Sequence, residues 1–160
     1  MVRTNRTDAS DRDFTDLVRL LDADLAVRDG ALHPFYDQFN TLESIRYVIV
    51  AYDGTQAVAC GAIKHYDAGT MEVKRMFTLP ECRGRGAATS VLNELEAWAI
   101  ELGYGKCILE TGWKQPEAIA LYTKNGYRQI PNYGQYAGVE NSVCFEKTLV
   151  SSVSRREGPP

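Results

Sequence analysis

The chain has few of the residues that assemble metal or redox centres. Its two histidines, His33 and His65, stand alone, and an isolated imidazole is more often structural or exposed than catalytic. The four cysteines, Cys60, Cys82, Cys107 and Cys144, are widely spaced and form neither a CxxC pair nor a zinc pattern. No metal site is therefore expected. Three of the thiols lie in apolar, strand-like runs, where cysteine behaves as a small core residue, and a reduced, cytoplasmic setting follows. No apolar run approaches the roughly 20 residues of a membrane span, so no membrane partner is expected. Met1 to Ser10 is polar and does not read as a signal peptide. Positive charge is not in excess. The net charge is -3 and the pI about 5.4, which argues against bulk nucleic-acid binding and mildly suits a cationic substrate. There is no internal repeat.

What remains is an ordinary globular composition, 44% hydrophobic and 24% charged over 160 residues. Residues 1–150 make one domain with a real core. Residues 151–160 are polar, end in Gly-Pro-Pro and read as a disordered tail. Val2 to Arg6 suits a short first strand. Ser10 is the expected cap of a helix carrying Phe14, Leu17, Val18, Leu21 and Leu25 at helical spacing. Ala31 to Asn40 is aromatic-rich, and Pro34 suits a first helical position. Tyr47–Tyr52, Ala57–Tyr66 and Thr70–Thr78 alternate with Asp-Gly and Ala-Gly turns, an antiparallel meander. A long helical pattern reaches Leu102, and Gly103 ends it. Lys106–Thr111 is a strand, and strand–helix–strand in this order implies a right-handed parallel crossover. Pro116 opens a further helix that Gly126 closes. Short strands at Tyr127–Ile130 and Val143–Leu149 flank a tyrosine-rich loop. The order gives an α+β fold, a sheet with helices on its faces.

Between the third strand and the long helix lies Arg83-Gly84-Arg85-Gly86-Ala87-Ala88. A strand, a glycine turn and a helix start make an anion site, because the first helical amides lack acceptors and the macrodipole is positive there. Arg83 and Arg85 add charge-assisted donors. A P-loop is excluded, since no Lys-Ser or Lys-Thr follows the glycines. The dinucleotide fingerprint fails at Thr89. Arg83, Gly86 and Ala88 instead fit Arg/Gln-x-x-Gly-x-Gly/Ala. This resembles the pyrophosphate loop of the GCN5-related N-acetyltransferases, which bind acetyl-CoA. A second segment, Gln115 to Tyr127, is similar to that family's Asn-x-x-Ala-x-x-x-Tyr-x-Lys-x-Gly-Phe, with Gln115 for Asn and Tyr127 for Phe. The likeness covers Ala57 to Leu149.

The resemblance implies a three-layer fold, a mixed, mostly antiparallel sheet of six to seven strands with a splayed parallel pair. Backbone groups of Met76, Phe77 and Thr78 would take the pantetheine and the oxyanion. Amides from Arg83 through Gly84, Arg85, Gly86 and Ala87 to Ala88 would take the pyrophosphate, with Gln115 and Ala118 nearby. Tyr122 matches the tyrosine beside the sulfur, and a phenol protonated at neutral pH can protonate a thiolate. For the base, Glu72, Glu110 and a water relay stay open. Strand alternation puts Glu72, Lys74 and Met76 on one face and Val73, Arg75 and Phe77 on the other, unless a bulge breaks the parity. Cys82 lacks a partner base. Tyr36, Tyr133 and Tyr136, with Asn132, are the expected acceptor contacts. The expected activity is acetyl transfer from acetyl-CoA to a primary amine of a small molecule, by direct attack in a ternary complex. A protein lysine or N-terminus, a non-catalytic acetyl-CoA module and a phosphate-metabolite enzyme are the alternatives. A C-terminal edge strand permits a homodimer without demanding one.

Overall fold

The computed structural model describes residues 2–32 and 45–149; the expected helix at Pro34, with Tyr36, and the expected tail lie outside them. Among the described residues, seven strands and three α-helices follow in chain order: β1 (Val2–Thr7), α1 (Arg12–Asp29), β2 (Tyr47–Asp53), β3 (Gln56–Asp67), β4 (Thr70–Thr78), α2 (Ala87–Glu101), β5 (Lys106–Gly112), α3 (Pro116–Lys124), β6 (Arg128–Ile130) and β7 (Ser142–Thr148). One sheet runs β1-β2-β3-β4-β5-β7-β6. Every neighbouring pair is antiparallel except β4 and β5.

The β-rich runs become strands because their apolar residues are buried between helical layers. Val48, Ile49, Val50 and Ala51 of β2 are fully buried, as are Ala59, Cys60 and Ala62 of β3. A strand covered on both faces reads as a continuous apolar run rather than an alternation. Helix α2 presents Val91, Leu92, Leu95 and Ala99 to the sheet, and α1 presents Phe14, Leu17, Val18 and Leu21. At the edge, Arg6 of β1 crosses to Glu94 and Glu101 of α2 and lies over Trp98.

The cap of α1 is Asp11, not Ser10. Asp11 Oδ1 accepts from Phe14 N at 3.1 Å, while the Ser10 hydroxyl turns back to Asp8. The carboxylate one residue nearer the helix reaches the N3 amide, so it displaces the hydroxyl. Gly103, at φ 91, follows the C-cap of α2 in the left-handed region. Cys60, Cys107 and Cys144 are buried and free.

Candidate active site

The parallel pair separates soon after it forms. β4 and β5 are in register only at Thr70–Lys106, Met71–Cys107 and Glu72–Ile108. Beyond that point each strand has backbone groups on an unpaired side, which must find other partners. A cavity of about 420 Å³ occupies this splay, walled by Val73 to Thr78, by Glu110 to Gly112 and by Leu21 and Leu25 of α1. The phosphate-type loop and α3 close its other end.

A bulge shapes the β4 wall. Cys60 pairs with Phe77 and Ala62 with Lys74, so Gly61 opposes two residues, Arg75 and Met76. Arg75 sits at φ 59, the only positive φ outside glycine among the described residues. The strand parity therefore breaks. Arg75 turns to α1 and pairs with Asp22, whereas Met76 packs by Gly61 beside Val91 and Leu95 of α2. Gly61 is required here, because a Cβ would lie 2.4 Å from the Met76 sulfur.

At the loop, Gly84 and Gly86 take φ 80 and 84, and Gly86 is the N-cap of α2. The Gly86 carbonyl accepts from Ser90, so the amides of Ala87, Ala88 and Thr89 precede the first intrahelical bond. Gly84, Gly86, Ala87 and Ala88 line the cavity; Arg85 does not. Arg83 turns inward, donating Nε to the Thr78 carbonyl at 3.2 Å and lying 6.0 Å from the Phe77 ring. It braces the end of β4 against the loop.

Tyr122, on α3, is buried, with the rings of Tyr127 and Phe145 at 5.7 and 6.3 Å. Burial pushes its phenol up, so it stays protonated across the neutral range. Gln115 caps α3 without a side-chain cap bond, and it lines the cavity with Ala118.

The two acidic candidates differ. Glu72 is buried and accepts a 2.6 Å hydrogen bond from the Tyr133 hydroxyl. Burial and that carboxylate push the Tyr133 phenol up. Burial raises Glu110 to about 7, with Ser142 and Lys74 opposing it. Lys74 lies in the fields of both carboxylates, and burial lowers its ammonium. Tyr133 is not on the cavity wall, whereas Tyr136, stacked edge-on against it at 5.8 Å, is. Asn132 ties its own loop together through the Val139 and Ser142 carbonyls.

Two contacts have no counterpart in the sequence pattern. Arg75 pairs with Asp22 of α1. Arg28 of α1 bonds the Lys114 carbonyl and pairs with Asp24 and Glu117, bridging α1 to the start of α3. The spacing of Asp22, Leu25 and Asp29 did carry a signal, since i, i+3 and i+7 share a helix face.

The sequence model of the acetyltransferase (GNAT) family matches residues 14–127. The IAA acetyltransferase of Azospirillum brasilense is 38% identical over 106 residues, 66% of this chain and 69% of that protein. An uncharacterized N-acetyltransferase of Bacillus subtilis, YsnE, is 32% identical over 62% of this chain and 67% of its own length. Among solved structures, a chain provisionally assigned as an acyl-CoA N-acyltransferase from Klebsiella pneumoniae superposes with a TM-score of 0.78 at 31% identity, covering 94% of this chain and 99% of that one. A GNAT acetyltransferase from Elizabethkingia anophelis, solved with acetyl-CoA bound, shares the fold at TM-score 0.67 and 18% identity, over 92% and 98% of the two chains. The chain belongs to the GNAT acetyltransferase family, and it is an acetyl-CoA-dependent acetyltransferase.

Proposed function

We propose that the chain acetylates a primary amine of a small molecule by direct transfer in a ternary complex. One juxtaposition carries the reading: a carboxyl raised to about 7 and a protonated phenol, Glu110 and Tyr122, line one cavity in a splayed sheet. The residues suit acetyl-CoA. The glycine loop brings helical amides to the cavity, and a Cβ on Gly84 or Gly86 would meet nothing within 4 Å, so the approach is open. The β4 backbone past Glu72 lacks a strand partner on the β5 side, which suits an amide-bearing ligand. Acetyl-CoA supplies an acyl group activated by its thiolate leaving group.

The protein's own groups then have distinct tasks. Glu110 accepts a proton from the acceptor's ammonium, because a base with a value near the working pH is both deprotonated and basic enough. The Met76 amide donates to the carbonyl oxygen, where negative charge develops. Tyr122 donates its proton to the departing sulfur. Glu72, held by Tyr133, and Lys74 set the field around Glu110. The cavity, at about 420 Å³, is in the range of small-ligand sites. The relative named IAA acetyltransferase supports acetyl transfer as the chemistry.

The test is thiol release from acetyl-CoA across a panel of small amines, with a lysine peptide as a further arm. Amine-dependent thiol release by the wild type is expected. Tight binding with no thiol from any acceptor would show a binding module instead.

A further inference from the structure

Arg75 is costly in two ways. Its backbone is left-handed at φ 59, where glycine would be unstrained. Its side chain is 1% exposed, and Nε and Nη1 have no hydrogen-bond partner among the described residues. Unpaired buried donors are rare enough to require a reason. Nη2 meets Asp22 Oδ1 of α1 at 2.5 Å, so the side chain is anchored across the sheet face to a helix that lines the cavity.

The backbone around Arg75 has a defined direction. The Arg75 carbonyl accepts from the Cys60 thiol of β3 at 3.5 Å. The peptide bonds are trans, and in a planar trans unit the carbonyl and the following N–H point opposite ways. The Met76 N–H therefore points away from the Cys60 thiol, and past Ile108 no β4–β5 ladder is there to take it.

We infer that Arg75 is a positioning residue: its clamp on Asp22 holds the bulge so that the Met76 amide is aimed at the thioester carbonyl. The inference rests on the acetyl-transfer reading for its purpose, but it makes a claim that needs no turnover. A glycine at this position would permit the same φ and would leave nothing to fix it. Arginine restrains the peptide from α1, an element that lines the cavity. Placement of α1 and direction of the amide are thus mechanically linked.

The test is infrared spectroscopy of bound acetyl-CoA with an isotope-labelled acetyl carbonyl, on the wild type, Arg75→Gly and Asp22→Asn. In the wild type the carbonyl stretch falls below its value in free acetyl-CoA. Arg75→Gly loses most of that fall while coenzyme A affinity is unchanged, and kcat drops about 10- to 100-fold, as for a misplaced catalytic group. Asp22→Asn keeps the Arg75 backbone and shows a smaller loss in the same direction, and Asp22→Glu restores the shift. If Arg75→Gly does not fold, Asp22→Asn carries the comparison. An unshifted carbonyl in the wild type overturns the inference. So does a variant that is less heat-stable yet keeps the full shift, since that marks a purely structural arginine. Failure of every amine to release thiol sinks the transfer reading separately and leaves the spectroscopic result standing.

Discussion

In the proposed reaction, Glu110 sets how the site responds to pH. Its carboxyl is raised from 4.5 to about 7 because burial disfavours the charged form. A base must be ionised to work, so kcat/KM is expected to climb as pH rises through about 7 and then level. Glu110→Gln should remove that limb and lower the rate by about 10²–10⁴-fold. The stability effect has the opposite sign. A carboxyl raised in the fold makes the folded state bind more protons, so its contribution is present below 4.5 and is lost as pH rises through about 7. Thermal unfolding should therefore show Glu110→Gln gaining on the wild type as pH goes from about 5 to about 8. Tyr122→Phe separates the acid from the binding site. Initial-rate and titration measurements should find kcat reduced with coenzyme A affinity unchanged. An unaltered kcat would remove Tyr122 from the chemistry.

At the scale of elements, the site depends on two backbone irregularities. Gly86 starts α2 at φ 84, and Gly86→Ala forces a side chain into the left-handed region at about 1–2 kcal/mol. Calorimetry should find weaker coenzyme A binding together with a lower Tm. Gly61 is limited by space instead. A Cβ there meets Met76 at 2.4 Å and Val91 at 2.9 Å. Gly61→Ala should destabilise by about 1–3 kcal/mol through overpacking and should lower kcat by shifting the β4 bulge.

The difference between these glycines explains what the sequence made legible. The loop from Arg83 to Ala88 is local chemistry, a turn and a helix start, and reads directly. So do α2, from its apolar spacing, and the β2–β3–β4 meander, from its Asp-Gly and Ala-Gly turns. The bulge is a property of two strands in register, so the parity of Arg75 and Met76 could not be read from β4 alone. The Tyr133–Glu72 bond spans 61 positions, and nothing local points to it. Ser10 and Asp11 are both good caps, and only the path of the chain chose between them.

For the molecule as a whole, the working feature is a sheet that fails to close. β4 and β5 pair for three residues and part, while α1, the glycine loop and α3 surround the opening. This arrangement places the glycine loop, the unpaired backbone of β4, a carboxyl and a phenol around one cavity. A ligand that fills the splay should stabilise the fold by mass action, by about 2.7 kcal/mol at a hundred times its Kd. Thermal shift with coenzyme A, ADP and ATP should show the largest rise for coenzyme A, because only it carries a pantetheine arm for β4. The most direct test is a crystal soaked with coenzyme A. The account predicts the diphosphate on the amides from Gly84 to Thr89, the pantetheine along Met76 to Thr78, and the sulfur beside the Tyr122 hydroxyl. A nucleotide bound elsewhere, or a sulfur remote from Tyr122, would contradict it.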